Sequence, residues 1–221
     1  MLQLKIVRDG TFEMTPEKGV IENRPTCSLI EFKGWDTLEN WNTLIDLDHP
    51  INDSSNLVNA LAYLGVTPQQ IKMVILTHLH PDHIGHKDLF PNAVFMYHKD
   101  ERLSFYFKNN QTIELAGNVT YELSNGGLSQ YVDYVPDLRK LGNRIYIRHC
   151  PGHTKGSLAI FACIDELVHA FVGGIFLNRK YYDRWQASGM SWEQERIYEH
   201  MTFIKENADV IVPGHGAPFM I

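Results

Sequence analysis

The segment Thr77-His78-Leu79-His80-Pro81-Asp82-His83 places three imidazoles and one carboxylate within six residues. Neutral imidazole nitrogen and carboxylate oxygen are the donors that a borderline divalent metal such as zinc prefers. His78 and His80 are two apart, so on an extended backbone both point to the same side. Asp82 and His83 are adjacent and follow a proline, so they approach from another direction. That division suits two cations better than one. A histidine-rich polar loop is the plain alternative, and it requires the ligand types and the turn-forming proline to coincide by accident.

Something rigid must hold these side chains. The apolar run Met73-Val74-Ile75-Leu76 reads as a buried strand, and Pro81 stops it. The cluster therefore lies at a strand's C-terminal end and in the loop beyond. Two distant segments repeat this layout. Pro151-Gly152-His153 follows a strand at 144–149, and Pro213-Gly214-His215-Gly216 follows the apolar strand Val210-Ile211-Val212. In each, proline ends the strand and glycine permits a sharp turn. Either histidine alone reads equally well as a loop residue, but the repeated context makes His153 and His215 the natural further ligands.

The remaining elements follow from patterning. Leu2, Leu4 and Ile6 alternate as a first strand, and 27–32 and 43–47 read as two more. Asp53, Ser54 or Ser55 caps a helix with its stripe at Leu57, Val58, Leu61 and Leu64, ended by Gly65. Thr67-Pro68 opens a short helical turn. A short helix is expected over 84–90 and a strand over 93–97. Residues 98–143 read as an insertion or lid partly covering a cleft, with Phe105, Tyr106, Phe107, Tyr131 and Tyr134 as pocket or packing aromatics. A hairpin is expected across Asp165-Glu166. Ser191 and Gln194 have the spacing of a capping box ahead of a helix carrying Ile197, Met201, Ile204 and Ala208. Strands and helices, then a similar run again, fit one domain over 1–221: an α/β (α+β) chain forming a four-layer αββα sandwich. Asp46 and Asp48, at the end of the 43–47 strand, are placed to orient a ligand histidine through its other nitrogen.

Composition excludes several classes. With 44% hydrophobic and 21% charged residues, the 221-residue chain is of ordinary globular type, and its net charge of −6 gives no support to nucleic-acid binding. The apolar runs fall short of the roughly 20 residues that a membrane span needs. Cys27, Cys150 and Cys163 form no CxxC pair, and a reduced cytoplasmic protein is the simplest expectation.

His78-x-His80-x-Asp82-His83, then His153, then His215 resembles the metallo-β-lactamase superfamily, and the resemblance covers nearly the whole chain. It implies an αββα sandwich with a dinuclear site: His78, His80 and His153 on one metal, Asp82, His83 and His215 on the other. Zinc is implied, two ions per chain, with iron or manganese as alternatives. The resemblance has one departure. Most superfamily hydrolases place a bridging aspartate where Gly174 stands in Val172-Gly173-Gly174-Ile175-Phe176. Without that bridge the two sites are expected to differ in affinity. The implied activity is hydrolysis by a metal-bound hydroxide of a small carbonyl substrate (ester, lactone or thioester), with Asp82 receiving or orienting the nucleophile's proton and a hydroxyl of Tyr131, Tyr134, Tyr181 or Tyr182 assisting. Around Asp183-Arg184-Trp185 and Pro213–Phe219 the chain is similar to an animal branch associated with RNA cleavage, which makes a phosphodiester the alternative substrate. The Gly174 departure motivates a third reading, a non-catalytic metal- or ligand-binding protein.

Overall fold

The computed structural model describes residues 1–15, 17, 19–33, 41–124, 127–132 and 137–221, with the backbone alone at 20–21, 104, 123–124 and 127–132. The chain starts with β1 (Leu2–Arg8), a small separate hairpin β2 (Thr11–Met14) and β3 (Val20–Arg24), then β4 (Cys27–Phe32) and β5 (Trp41–Ile45). Helix α1 (Ser54–Tyr63) leads to β6 (Ile71–Ile75), the short α2 (Pro81–Ile84), β7 (Val94–His98) and β8 (Gln111–Leu115). The second half runs β9 (Val119–Ser124), β10 (Gly127–Val132), β11 (Arg144–His149), β12 (Leu158–Ile164), β13 (Leu167–Phe171), α3 (Arg179–Asp183), α4 (Gln194–Asn207), β14 (Val210–Val212) and β15 (Phe219–Met220). Among the described residues one sheet is ordered β1-β4-β5-β6-β7-β8 and the other β10-β9-β11-β12-β13-β14-β15.

Strands buried on both faces produce the layering. In β12, Leu158, Ile160, Ala162 and Ile164 face the other sheet, packing with Ile30, Ile45, Met73 and Ile75. The intervening Ala159 and Phe161 face α4, against Ile197, Met201 and Ile204. In β6, Val74 turns outward instead, to Leu57 and Leu61 of α1. Three apolar interfaces thus separate helix, sheet, sheet and helix, the expected αββα sandwich. A period-2 sequence apolar on both faces requires such cover on both sides.

Local signals decide many boundaries. The Asp53 carboxylate accepts the Ser55 N–H and caps α1. Thr67 and Gln70 form a capping box on a 3₁₀ turn opened by Pro68. Asp165 and Glu166, at φ 51° and 66°, make the tight connection between β12 and β13.

Three expectations change. The helix after the histidine cluster is Pro81–Ile84, not 84–90, because Pro81 suits the first helical position and Gly85 breaks away to pair with Asp48 (N–H to O, 2.8 Å). A separate 3₁₀ turn covers Lys87–Leu89. Helix α4 begins at Gln194 behind Glu193, so Ser191 is not its cap. Residues 98–143 extend both sheets through β8 and β9 as well as reaching the cleft at Asp100–Leu103. Phe107 is core beside Phe95 and Tyr97, whereas Phe105 and Tyr106 are exposed. The side chain of Tyr131 and all of Tyr134 lie outside the described residues.

Candidate metal centre

Topology brings the three distant segments to one edge. Strands β5, β6 and β7 are mutually parallel, so the loops after β5 and β6 share an end of their sheet. In the second sheet β13 and β14 are parallel, and β11 runs the same way because two antiparallel steps separate it from β13. Ligand sites favour the carboxyl ends of such strands. The two edges are tied together: Leu158 N–H donates to the Thr77 carbonyl at 2.7 Å, and Thr26 N–H to the Gly214 carbonyl at 2.7 Å. Gly214 packs so tightly against Gly173 that a Cβ there would lie 2.4 Å from the Gly173 oxygen. Close approach, more than the turn itself, is what glycine supplies at 214.

Two triads result. His78 Nε2 and His153 Nε2 lie 3.0 and 3.1 Å from His80 Nδ1. Beside them, His83 Nε2 is 3.4 Å from His215 Nε2, and each is 3.5 Å from Asp82 Oδ2. Metal–donor bonds of ~2.0–2.1 Å in a tetrahedral shell put neighbouring donors ~3.3–3.4 Å apart. The second triad matches that spacing and the first, at 3.0 and 3.1 Å, is a few tenths of an ångström tighter, so each could hold one cation. The triads adjoin, since the His78 and His83 rings are centred 4.1 Å apart.

Hydrogen bonds on the far nitrogens aim the lone pairs inward. The Asp46 carboxylate accepts the Thr77 N–H at Oδ1 (2.8 Å) and, at Oδ2, both the Thr77 hydroxyl (2.7 Å) and His83 Nδ1–H (2.8 Å). With its proton committed to Asp46, Thr77 Oγ1 accepts from His78 Nδ1–H at 3.0 Å. His215 Nδ1–H donates to the Arg24 carbonyl at 3.1 Å, and His153 Nδ1 meets the Ser191 hydroxyl at 3.3 Å. Those acceptors leave the Nε2 lone pairs of His78, His83 and His215 free, as a metal requires, and the Ser191 hydroxyl can donate or accept at His153.

Electrostatics agree. Burial, then the neighbouring imidazoles, pushes His78 well below the usual histidine range, His153 down to about 3 and His215 to about 4. Burial also lowers His80, again reinforced by His83. Burial works against the charged form of His83 too, but Asp46 and Asp82 outweigh it and raise its pKa. Burial opposes ionisation of Asp82 as well, yet His83 and His215 hold its carboxyl below the usual range. Four imidazoles biased towards the neutral form, with one carboxylate, attract a cation, which at His83 must displace the proton that Asp46 and Asp82 favour.

Gly174 sits against the first triad. A Cβ there would come within 2.0 Å of His153 Cδ2. The His153 ring thus occupies the space a side chain at 174 would need.

A cavity of about 360 Å³ opens on the first triad, with His80 and His153 in its wall. Neither Tyr181 nor Tyr182 lines it, and Tyr182 instead packs with Phe176, Trp185 and Phe219. Glu101, unremarked in the sequence, is buried behind this wall. Its carboxylate accepts the N–H groups of Leu79 and Gly156 at 3.1 Å each and the Thr154 hydroxyl, bracing the loops of His80 and His153 together. Ser191 was equally hidden, because its partner is 38 positions away while its local pattern mimics a helix cap. His49 Nδ1 accepts the Ile51 N–H at 3.1 Å.

The pattern described as "Metallo-beta-lactamase superfamily" matches residues 35–173. Metallo-beta-lactamase domain-containing protein 1 of Xenopus laevis is 29% identical over 182 residues, covering 80% of this chain and 67% of that protein. The Mus musculus protein of the same name is 30% identical over 171 residues, covering 75% of this chain and 56% of the relative, so the chain spans little more than half of that protein's length. Among solved structures, an N-acyl homoserine lactone hydrolase with its product N-hexanoyl-L-homoserine bound at the catalytic metal centre is similar in fold: TM-score 0.67, 15% identity, 97% of this chain and 92% of that one. With the sandwich, the paired donor triads and these likenesses together, the chain belongs to the metallo-β-lactamase superfamily and is a metallo-hydrolase.

Proposed function

We propose that His78, His80 and His153 bind one divalent cation and Asp82, His83 and His215 a second, and that the chain hydrolyses a small carbonyl compound: an ester, lactone or thioester. The observation that carries this reading is the pair of adjacent triads, each with its three donor atoms within 4.8 Å of one another. Zinc suits a set of five imidazoles and one carboxylate, with iron and manganese as the competing ions. When bound, such a metal lowers the pKa of water towards neutrality and polarises the oxygen that gains negative charge.

The protein's own groups do the rest. Asp46 and Thr77 hold His78 and His83 in one tautomer. Asp82, the carboxylate of the second triad, takes the proton of the attacking water. The water oxygen bonds to the acyl carbon, the acyl C–O or C–S bond breaks, and the proton passes to the departing oxygen or sulfur. Burial of the triads limits access to the cavity side. The lactone hydrolase with product at its metal centre supports a small carbonyl substrate. A cytoplasmic setting belongs to the same reading and rests on three unpaired thiols, Cys27 and Cys150 buried and Cys163 partly so.

The test is a panel of esters, lactones, thioesters and phosphodiesters, run with protein loaded with zinc, manganese or iron. Turnover of a carbonyl substrate that disappears in His80→Ala is expected. A fully metallated protein without turnover would leave only the binding-protein reading.

A further inference from the structure

The wall of the cavity beyond His80 and His153 has a chemistry of its own. Two cations rim it, Arg102 and Lys155, both exposed. Arg102 makes no ion pair among the described residues. The Lys155 ammonium lies 5.0 Å from the centre of the Trp192 ring, held against its face. Two large apolar side chains stand at the same rim and are exposed, Trp192 at 49% and Met190 at 58%. Of the acids in the lining, Glu101 is buried and occupied by three donors, and Asp100 sits 3.7 Å from His98 Nδ1. Two exposed cations, Arg102 and Lys155, thus stand beside one exposed anion, Asp100, in the lining of a chain whose net charge is −6.

An unpaired guanidinium, an ammonium and an exposed indole around one small cavity fit a ligand with an anionic end and an apolar body. The volume is near the lower limit for small-molecule sites, ~300–1,000 Å³.

Resting on the hydrolase reading above, we infer that the substrate is a small acyl compound carrying a carboxylate. Arg102 and Lys155 receive the carboxylate, Trp192 and Met190 receive the apolar portion, and the scissile carbonyl is thereby set at the His80–His153 face. Arg102 supplies the planar fork that a carboxylate matches, and Lys155 supplies a point charge. The two cations also draw an anionic substrate towards the cavity against the protein's overall negative charge.

The experiment compares the para-nitrophenyl monoester of adipic acid with its methyl-capped diester, which differ by one negative charge, using zinc-loaded protein. The wild type is expected to prefer the acid by about tenfold or more in kcat/KM, the effect of one charge-assisted contact. In the Arg102→Ala, Lys155→Ala double variant that ratio falls towards one, mainly through KM, and Arg102→Lys restores part of it. Equal turnover of the two esters by the wild type, or an equal loss on both in the double variant, would overturn the inference. So would faster cleavage of a short oligoribonucleotide than of the acid ester.

A second measurement separates this proposal from the one it rests on. Calorimetry on metal-free protein is expected to show phenylacetate binding that weakens about tenfold in the double variant, with phenylacetamide not bound. Phenylacetate binding without turnover of either ester sinks the hydrolase reading and leaves the anion site standing. Turnover without charge preference or phenylacetate binding does the reverse.

Discussion

The Asp46 carboxylate lies 2.8 Å from His83 Nδ1 and, through the Thr77 hydroxyl at 2.7 Å, also governs His78. One buried acid thus sets the tautomers of two proposed ligands in different triads. Asp46→Asn keeps the shape but loses the anionic acceptor. It is expected to weaken metal binding by about 10–100-fold, more at the His83 triad, while the chain stays folded. Competition against a chromophoric chelator, with circular dichroism as the control, measures both.

Gly174 makes a sharper prediction. Because a Cβ would lie 2.0 Å from His153 Cδ2, Gly174→Ala should displace that ring and empty the first triad. Gly174→Asp carries the same Cβ, so adding a carboxylate is not expected to restore what the bulk removes. Elemental analysis after dialysis should give close to one metal per chain in both variants. Two retained metals in Gly174→Asp would contradict the steric account.

The triads differ in make-up, three imidazoles against two imidazoles and a carboxylate. Titration of metal-free protein with zinc in a calorimeter is therefore expected to resolve two steps of unequal affinity. A single step accommodating two equivalent ions would refute this.

Glu101 satisfies three donors on two loops. Each buried donor left without a partner costs about 1–3 kcal/mol. Glu101→Ala is thus expected to destabilise the protein by a few kcal/mol, seen as a lower midpoint in urea. Glu101→Gln retains a carbonyl acceptor and should lose less.

Acid sensitivity follows from histidines outside the triads. Burial, then the nearby Arg148, holds His200 at about 4 instead of the usual 6.5, and burial with the stacked His149 does the same for His98. The unfolded chain takes up these protons near 6.5, while the folded chain resists until about 4. Stability contributed by the neutral forms is therefore complete above 6.5 and falls as pH drops towards 4. Thermal denaturation of metal-free protein should show this decline, and His200→Phe should flatten it.

The sequence alone determined the parts of this protein that depend on near neighbours. The apolar run 73–76 with its histidines, the Asp53 cap, the Asp165-Glu166 hairpin and the two Pro-Gly-His triplets each carry their physical cause within a few residues, so spacing and residue type sufficed. Doubly apolar strands also required cover on both faces, which limited the layer order. Tertiary structure decided what depends on residues far apart in the chain. Asp46 meets His83 across 37 positions, Glu101 meets Thr154 across 53, and Ser191 meets His153 across 38. Those distances close only once two sheets stack and the ends of β5, β6, β11 and β14 come to one edge. No local pattern distinguishes a serine that caps a helix from one that orients an imidazole, because the partner that settles its role is brought in by the fold.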